Sequence, residues 1–126
     1  VKLTIERLES TGKRVHLVYP LPELGWDPIT YAKVFIDRGE SWHRKLDIPY
    51  EDFLARTQRT FRELDRATSN LTNTIFASEL VCNNQISDWC VASSENTLYY
   101  GDNDHLNENG NKLLAEFIVG RVLGER

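Results

Sequence analysis

The sequence predicts an α/β fold, helices layered on both sides of a parallel sheet, and three observations lead there. Helix-period and strand-like segments alternate in the order helix, strand, helices, strand, loop, helix, which is the grammar of layers joined by right-handed crossovers. The two strand-like runs, RVHLVY at 14–19 and NTIFA at 73–77, are mostly apolar rather than alternating, as strands covered on both faces are. The length of 126 residues, with 40% hydrophobic and 27% charged residues, suits one globular domain and not two.

Each element has a local reason. Val1, Ile5 and Leu8 recur at helical spacing and Gly12 stops them, giving a helix over 1–11. The strand at 14–19 ends at Pro20, so 20–26 forms a loop at its C-terminal end. Pro28 suits the first turn of a helix over 28–38, and the polar stretch 39–46 is irregular. A longer helix over 50–67 follows Pro49. Glu51 and Asp52 favour the positive end of its dipole, and Phe53, Leu54, Thr57, Phe61 and Leu64 form its inner stripe. The strand at 73–77, a loop bearing both cysteines and a short extended segment at 97–100 come next. Asn107 then caps a last helix whose apolar side carries Leu113, Leu114, Phe117, Ile118 and Val122.

Composition narrows the function. Fifteen basic against nineteen acidic residues give a net charge of −4 without a basic run, so nucleic acid is not an expected partner. No stretch approaches the roughly 20 apolar residues of a membrane helix, and five Phe, five Tyr and three Trp argue against disorder. Buried parallel strands need neighbours, yet only two are present. With Val1 in place of an initiating Met, this makes the chain an expected piece of a larger domain, the second half of its sheet.

Cys82 and Cys90 lie eight positions apart in CNNQISDWC. A disulfide there would close a short loop, worth roughly 2–3 kcal/mol in the chain-entropy account and pointing to an oxidising compartment. The spacing equally admits two unrelated thiols. Zinc has little support, since His105 alone stands near and no second close pair exists.

The chemistry concentrates in YYGDNDHLNENG, residues 99–110. An Asp three residues before a His allows Asp102 to bond the imidazole of His105 across one turn. That contact would fix the tautomer and leave the other nitrogen free to take a proton from a hydroxyl. Asp104 competes for the same role, but a residue adjacent to the His normally points elsewhere. The plainer alternative is a solvated acidic turn before a capped helix. His16 reads as a core histidine, His43 as a surface residue, and Trp26 and Trp42 as loop packing ahead of sugar stacking.

The segment YYGDNDHLNENGNKLLAEFI resembles the closing block of the SGNH (GDSL-type) hydrolase superfamily, whose D-x-x-H motif supplies the acid and base of a triad. More specifically, it resembles the SGNH domains fused behind the acyltransferase-3 membrane domain of bacterial O-acyltransferases. The match lies at Tyr99, Tyr100, Asp102, Asp104, His105, Leu106, Asn107 and Gly110. RVHLVYPLPELGW resembles that family's central strand and Pro-rich loop, and the upstream cysteine pair fits its C…C loop. The resemblance thus runs over most of 14–123.

It implies a three-layer α/β/α, flavodoxin-like fold, with Asp102 and His105 catalytic and Cys82 bonded to Cys90 in a loop beside the acidic turn. It implies no cofactor or metal. The implied setting is the periplasmic or extracytoplasmic side of a bacterial inner membrane, this segment being soluble and its parent membrane-embedded. The implied partners are an acyl donor and a glycan acceptor.

The family's G-D-S nucleophile block is missing. The seven serines (Ser10, Ser41, Ser69, Ser78, Ser87, Ser93 and Ser94) sit on no strand-to-helix elbow, so the chain alone is expected to be inert. With unpaired strand edges, it is also expected to form a homodimer. A free-standing esterase acting on glycans, or a non-catalytic interaction domain, are the competing expectations.

Overall fold

The structure is a computed structural model describing residues 1–124. Helix α1 (Lys2–Ser10) leads into strand β1 (His16–Tyr19). Helix α2 (Pro28–Asp37) follows, then the two-residue strand β2 (Ile48–Pro49), helix α3 (Tyr50–Ala67) and strand β3 (Asn73–Phe76). A 3₁₀ turn (Ala77–Leu80), the short strands β4 (Trp89–Cys90), β5 (Ser93–Ser94) and β6 (Thr97–Leu98), and helix α4 (Glu108–Leu123) complete the chain. No helix is long and apolar enough to cross a membrane among the described residues.

The α/β class is as expected. β1 and β3 pair in parallel, His16 against Asn73 through Tyr19 against Phe76. Side chains alternate across a strand, so Tyr19 and Phe76 share one face. Phe61 of α3 packs on them there, 5.1 Å from Tyr19 edge-on and 6.3 Å from Phe76. Tyr19 also donates a 2.6 Å hydrogen bond from its hydroxyl to Asp65, tying the strand's end to the helix. Ile75 points to the opposite face, where it borders a cleft shared with Arg121 and Val122 of α4. The remaining ladders are antiparallel and two residues long, β2 with β4 and β5 with β6.

The strands depart from expectation in their burial. Val18 is 38% exposed, His16 and Leu17 are half-buried, and in β3 only Ile75 is buried. Among the described residues the parallel sheet has two strands, so the outer edge of each meets no third strand and its faces are incompletely covered. His16 is accordingly a half-exposed strand residue rather than a core one. The main core lies further along the chain, where Leu24, Leu46, Ile48, Phe53, Val81, Cys90, Val91 and Tyr100 meet.

Helix α3 has the predicted limits. Its buried side runs through Phe53, Thr57, Phe61, Leu64 and Ala67 at spacings of three and four, while Leu54, one residue off that stripe, faces solvent. At α2 the carboxylate of Asp27 accepts from the amides of Ile29 and Thr30, satisfying two orphan donors of the first turn. Cys82 and Cys90 are joined by a disulfide. The loop it closes is tied to the start of α3, where the Tyr50 amide donates to the Asp88 carbonyl at 2.9 Å. Cys90 and Val91, at the end of that loop, belong to the same core cluster as Tyr99 and Tyr100, which lead into the acidic turn.

Candidate active site

The turn bearing Asp102 and His105 is held on three sides. Behind it, the amides of Leu24 (2.8 Å) and Gly25 (3.3 Å) donate to the Asn103 carbonyl, so the loop after β1 grips the middle of the turn. That loop is itself anchored by the buried Tyr100, whose hydroxyl donates to the Pro22 carbonyl at 2.8 Å. After it, Asn107 caps α4 by accepting from the Gly110 amide at 3.0 Å, and its own amide group donates to the Leu98 carbonyl at 2.7 Å. Gly110 is required: a Cβ there would overlap the Tyr99 carbonyl oxygen and crowd Leu106. The turn closes on itself through the Gly101 amide, which donates to the His105 carbonyl.

On this frame Asp102 organises the charges. Its Oδ1 accepts from the amides of Asp104 (3.0 Å) and His105 (2.7 Å), an arrangement that Asp readily makes in turns. Both carboxylate oxygens lie within reach of His105 Nδ1, at 3.1 and 3.0 Å. Asp104 Oδ1 is also 3.0 Å from that nitrogen. The neighbouring acid therefore does not point away, as expected of a residue adjacent to the His: the turn folds both carboxylates onto one ring nitrogen. Asp102 keeps the fuller set of contacts, because it alone also accepts backbone donors.

Protonation follows from these contacts. The two backbone amides hold the Asp102 carboxyl down at about 2, with His105 adding to the effect. Hydrogen bonding to Asp102, and then its charge and that of Asp104, raise the His105 pKa above its ordinary value. An ionised carboxylate can only accept, so Nδ1 carries the hydrogen and the neutral ring bears its lone pair on Nε2. Both side chains are open to water, 76% for His105 and 49% for Asp102. Asp102, Asp104 and His105 also place one possible metal-ligand atom each within 4.8 Å of one another. Three exposed groups already engaged with each other and with backbone form no enclosed cage.

Residues 1–119 match the family described as SGNH domain (fused to AT3 domains). The chain belongs to this family. Among solved structures, this SGNH chain is similar to the periplasmic domain of a lipopolysaccharide acetyltransferase of Salmonella ser. Paratyphi A, with a TM-score of 0.62 and 14% identity. The likeness covers 97% of this chain and 47% of that one, so the chain spans about half the length of its structural neighbour. No curated protein matches it.

The other candidates take structural places. Trp26 and Trp42 are half-buried against the core, as loop packing requires. His43 is not free on the surface: its Nε2 accepts from Arg44 Nε at 3.1 Å, and its Nδ1 lies 3.5 Å from Ser93 Oγ. This serine–histidine pair has no route to substrate, since Ser93 is 1% exposed. It borders a network that sequence reasoning missed. Arg44 donates to Asp47 Oδ2, Gln85 Oε1 and the Ser93 carbonyl, each at 3.0 Å, and Asp47 Oδ1 accepts from the Ala92 amide at 2.9 Å. Its two halves, residues 44–47 and 85–93, are joined by bonds that span 41 to 49 residues, a separation no motif spacing reveals.

Proposed function

We propose that this chain is the acid- and base-bearing, C-terminal part of an extracytoplasmic SGNH domain in a membrane-bound O-acyltransferase that acylates a cell-surface polysaccharide. One observation carries the reading: Asp102 grips Nδ1 of His105 from a backbone-braced turn and leaves Nε2 open to solvent. Membership of a family fused to AT3 domains supports a membrane-bound parent, and a periplasmic acetyltransferase neighbour supports the setting.

In the proposed reaction, Nε2 of His105 takes the proton of a serine hydroxyl supplied from outside this chain. The serine oxygen attacks the donor's acyl carbon, and the protonated histidine returns the proton to the departing group. An acceptor hydroxyl then repeats the sequence, its oxygen taking the acyl group as serine regains its proton. Asp102 stays ionised throughout, orienting the ring and stabilising the imidazolium. The chain contains no G-D-S sequence, so the serine and oxyanion donors belong to the remainder of the domain, and the isolated chain is inert.

The test measures acyl transfer to polysaccharide by the full polypeptide encoding this segment, with His105→Ala and Asp102→Asn. Losses of about 10³-fold or more for His105→Ala, and a smaller loss for Asp102→Asn, are expected. Unchanged transfer in His105→Ala overturns the reading, as does serine-dependent esterase activity in the isolated chain. On its own, the chain is further proposed to pair two-fold through the open edge of β1 beside the exposed Val18. Sedimentation at about 50 µM, well above specific dissociation constants, should give a dimer, and a stable monomer there refutes the pairing.

A further inference from the structure

A second surface has the character of a ligand site. Pro49, Tyr50, Glu51 and Leu54 at the start of α3, with Asp88 and Trp89 from the disulfide-closed loop, line an open cleft of about 440 Å³. That lies within the range of roughly 300–1,000 Å³ typical of small-molecule sites. Trp89 is 41% exposed, whereas Trp26 and Trp42 pack against the core. The one tryptophan with an open surface therefore stands in a cleft. Both charged residues of the lining are carboxylates, Glu51 and Asp88, and both are exposed.

The walls are fixed before any ligand arrives. Pro49 and Trp89 are register partners in the β2–β4 ladder, and the disulfide leaves from Cys90, next to Trp89. The Tyr50 amide donates to the Asp88 carbonyl, and the Asn83 amide donates to the Trp89 carbonyl at 3.0 Å. Asp88 sits in the left-handed region, φ +66°, with its amide bonded to Asn83 Oδ1 at 2.7 Å. A preformed wall of this kind spares a ligand the entropy of ordering loops and side chains.

We infer that this cleft binds a neutral saccharide. A pyranose presents an apolar C–H face that stacks on an indole or phenol ring, and a rim of hydroxyls that donate to carboxylates. Trp89 and Tyr50 supply the first surface, and Glu51 and Asp88 the second. Two carboxylates disfavour an anionic sugar, and an open trough suits one unit of a chain rather than an enclosed small ion. The saccharide assignment stands on the cleft alone. Its use as a hold on the acceptor polysaccharide rests on the reading above. Binding needs no catalysis, so failure of the cleft and failure of that reading separate cleanly.

The experiment titrates this chain, isotope-labelled, with the methyl pyranosides of glucose, galactose, mannose and rhamnose up to about 100 mM, and separately with tetramethylammonium. At least one glycoside should move the Trp89 indole N–H and Tyr50 amide signals saturably, leaving the Trp26 and Trp42 indoles in place. Trp89→Ala should abolish the Tyr50 response. Glu51→Gln, which keeps the aromatic wall, should weaken binding at least threefold. The proposal is overturned by no saturable shift with any glycoside, by equal shifts at all three indoles, by a response to tetramethylammonium alone, or by unaltered binding in Trp89→Ala.

Discussion

Two pairs in this molecule share a spacing and a distance and differ in everything else. Arg44 and Asp47, like Asp102 and His105, join an acid and a base three residues apart at 3.0 Å. In the first pair the side chains are 26% and 3% exposed, and the guanidinium has further partners in His43, Gln85 and the Ser93 carbonyl. In the second the side chains are open to water, and Nε2 of the histidine has no partner among the described residues. A buried pair survives only with its hydrogen-bonding capacity filled, and a filled pair has nothing left to offer a substrate. An exposed pair adds little to stability and keeps a reactive atom. The lesson is that spacing alone does not mark chemistry: what matters is whether an atom of the pair remains unspent.

The contrast breaks if the buried pair proves dispensable. Asp47→Ala leaves Arg44 and the Ala92 amide without their carboxylate and should cost about 3–5 kcal/mol in urea unfolding; a loss under about 1 kcal/mol would put this pair in the exposed class. Next in size is the disulfide, whose reduction should cost about 2–3 kcal/mol for so short a loop. Alkylation of the intact, unreduced chain should label neither cysteine, and two reactive thiols would contradict the bond. Gly110→Ala, which forces α4 away from the Tyr99 carbonyl, should cost about 1–3 kcal/mol.

Asp102→Asn belongs at the bottom of the stability scale and shows itself elsewhere. Unfolding should barely change at neutral pH, while the His105 titration observed by NMR falls toward that of a free imidazole. Asp104→Asn should lower it less, and the reverse order would make Asp104 the principal partner. The signs with pH follow. His105 titrates above its unfolded value, so its small contribution is full at acid pH and fades as pH rises through the folded value. Asp102 titrates near 2, below its ordinary 3.8, so its contribution is full above about 4 and fades as pH falls toward 2.

The parts of this molecule that sequence reveals are those made by neighbours in the chain. Helix α3 announces its limits through Pro49, the acidic first turn and a stripe at helical spacing. The Asp102–His105 contact spans a single turn and is visible as D-x-x-H. What stayed hidden depends on distant partners. Strands β2, β4 and β5 are two residues long, too short for any periodicity, and exist because Ile48 meets Cys90 and Ser93 meets Leu98. Arg44 resembles any surface arginine until the fold brings Gln85 and Ser93 to it. Leu54 passes for a core residue by type alone, and its position off the buried stripe puts it beside Trp89 in the cleft.

The bond from Tyr19 to Asp65 gives this fold a built-in optical reporter. Burial, and then the carboxylate that accepts its proton, push the Tyr19 phenol up to about 12, while an exposed tyrosine ionises near 10. Burial pushes the Tyr100 phenol higher still, so the reporter is read in Tyr100→Phe: during an alkaline titration followed by tyrosinate absorbance, Tyr19 should stay dark there while exposed phenols colour. Its late appearance marks the moment when strand β1 lets go of helix α3.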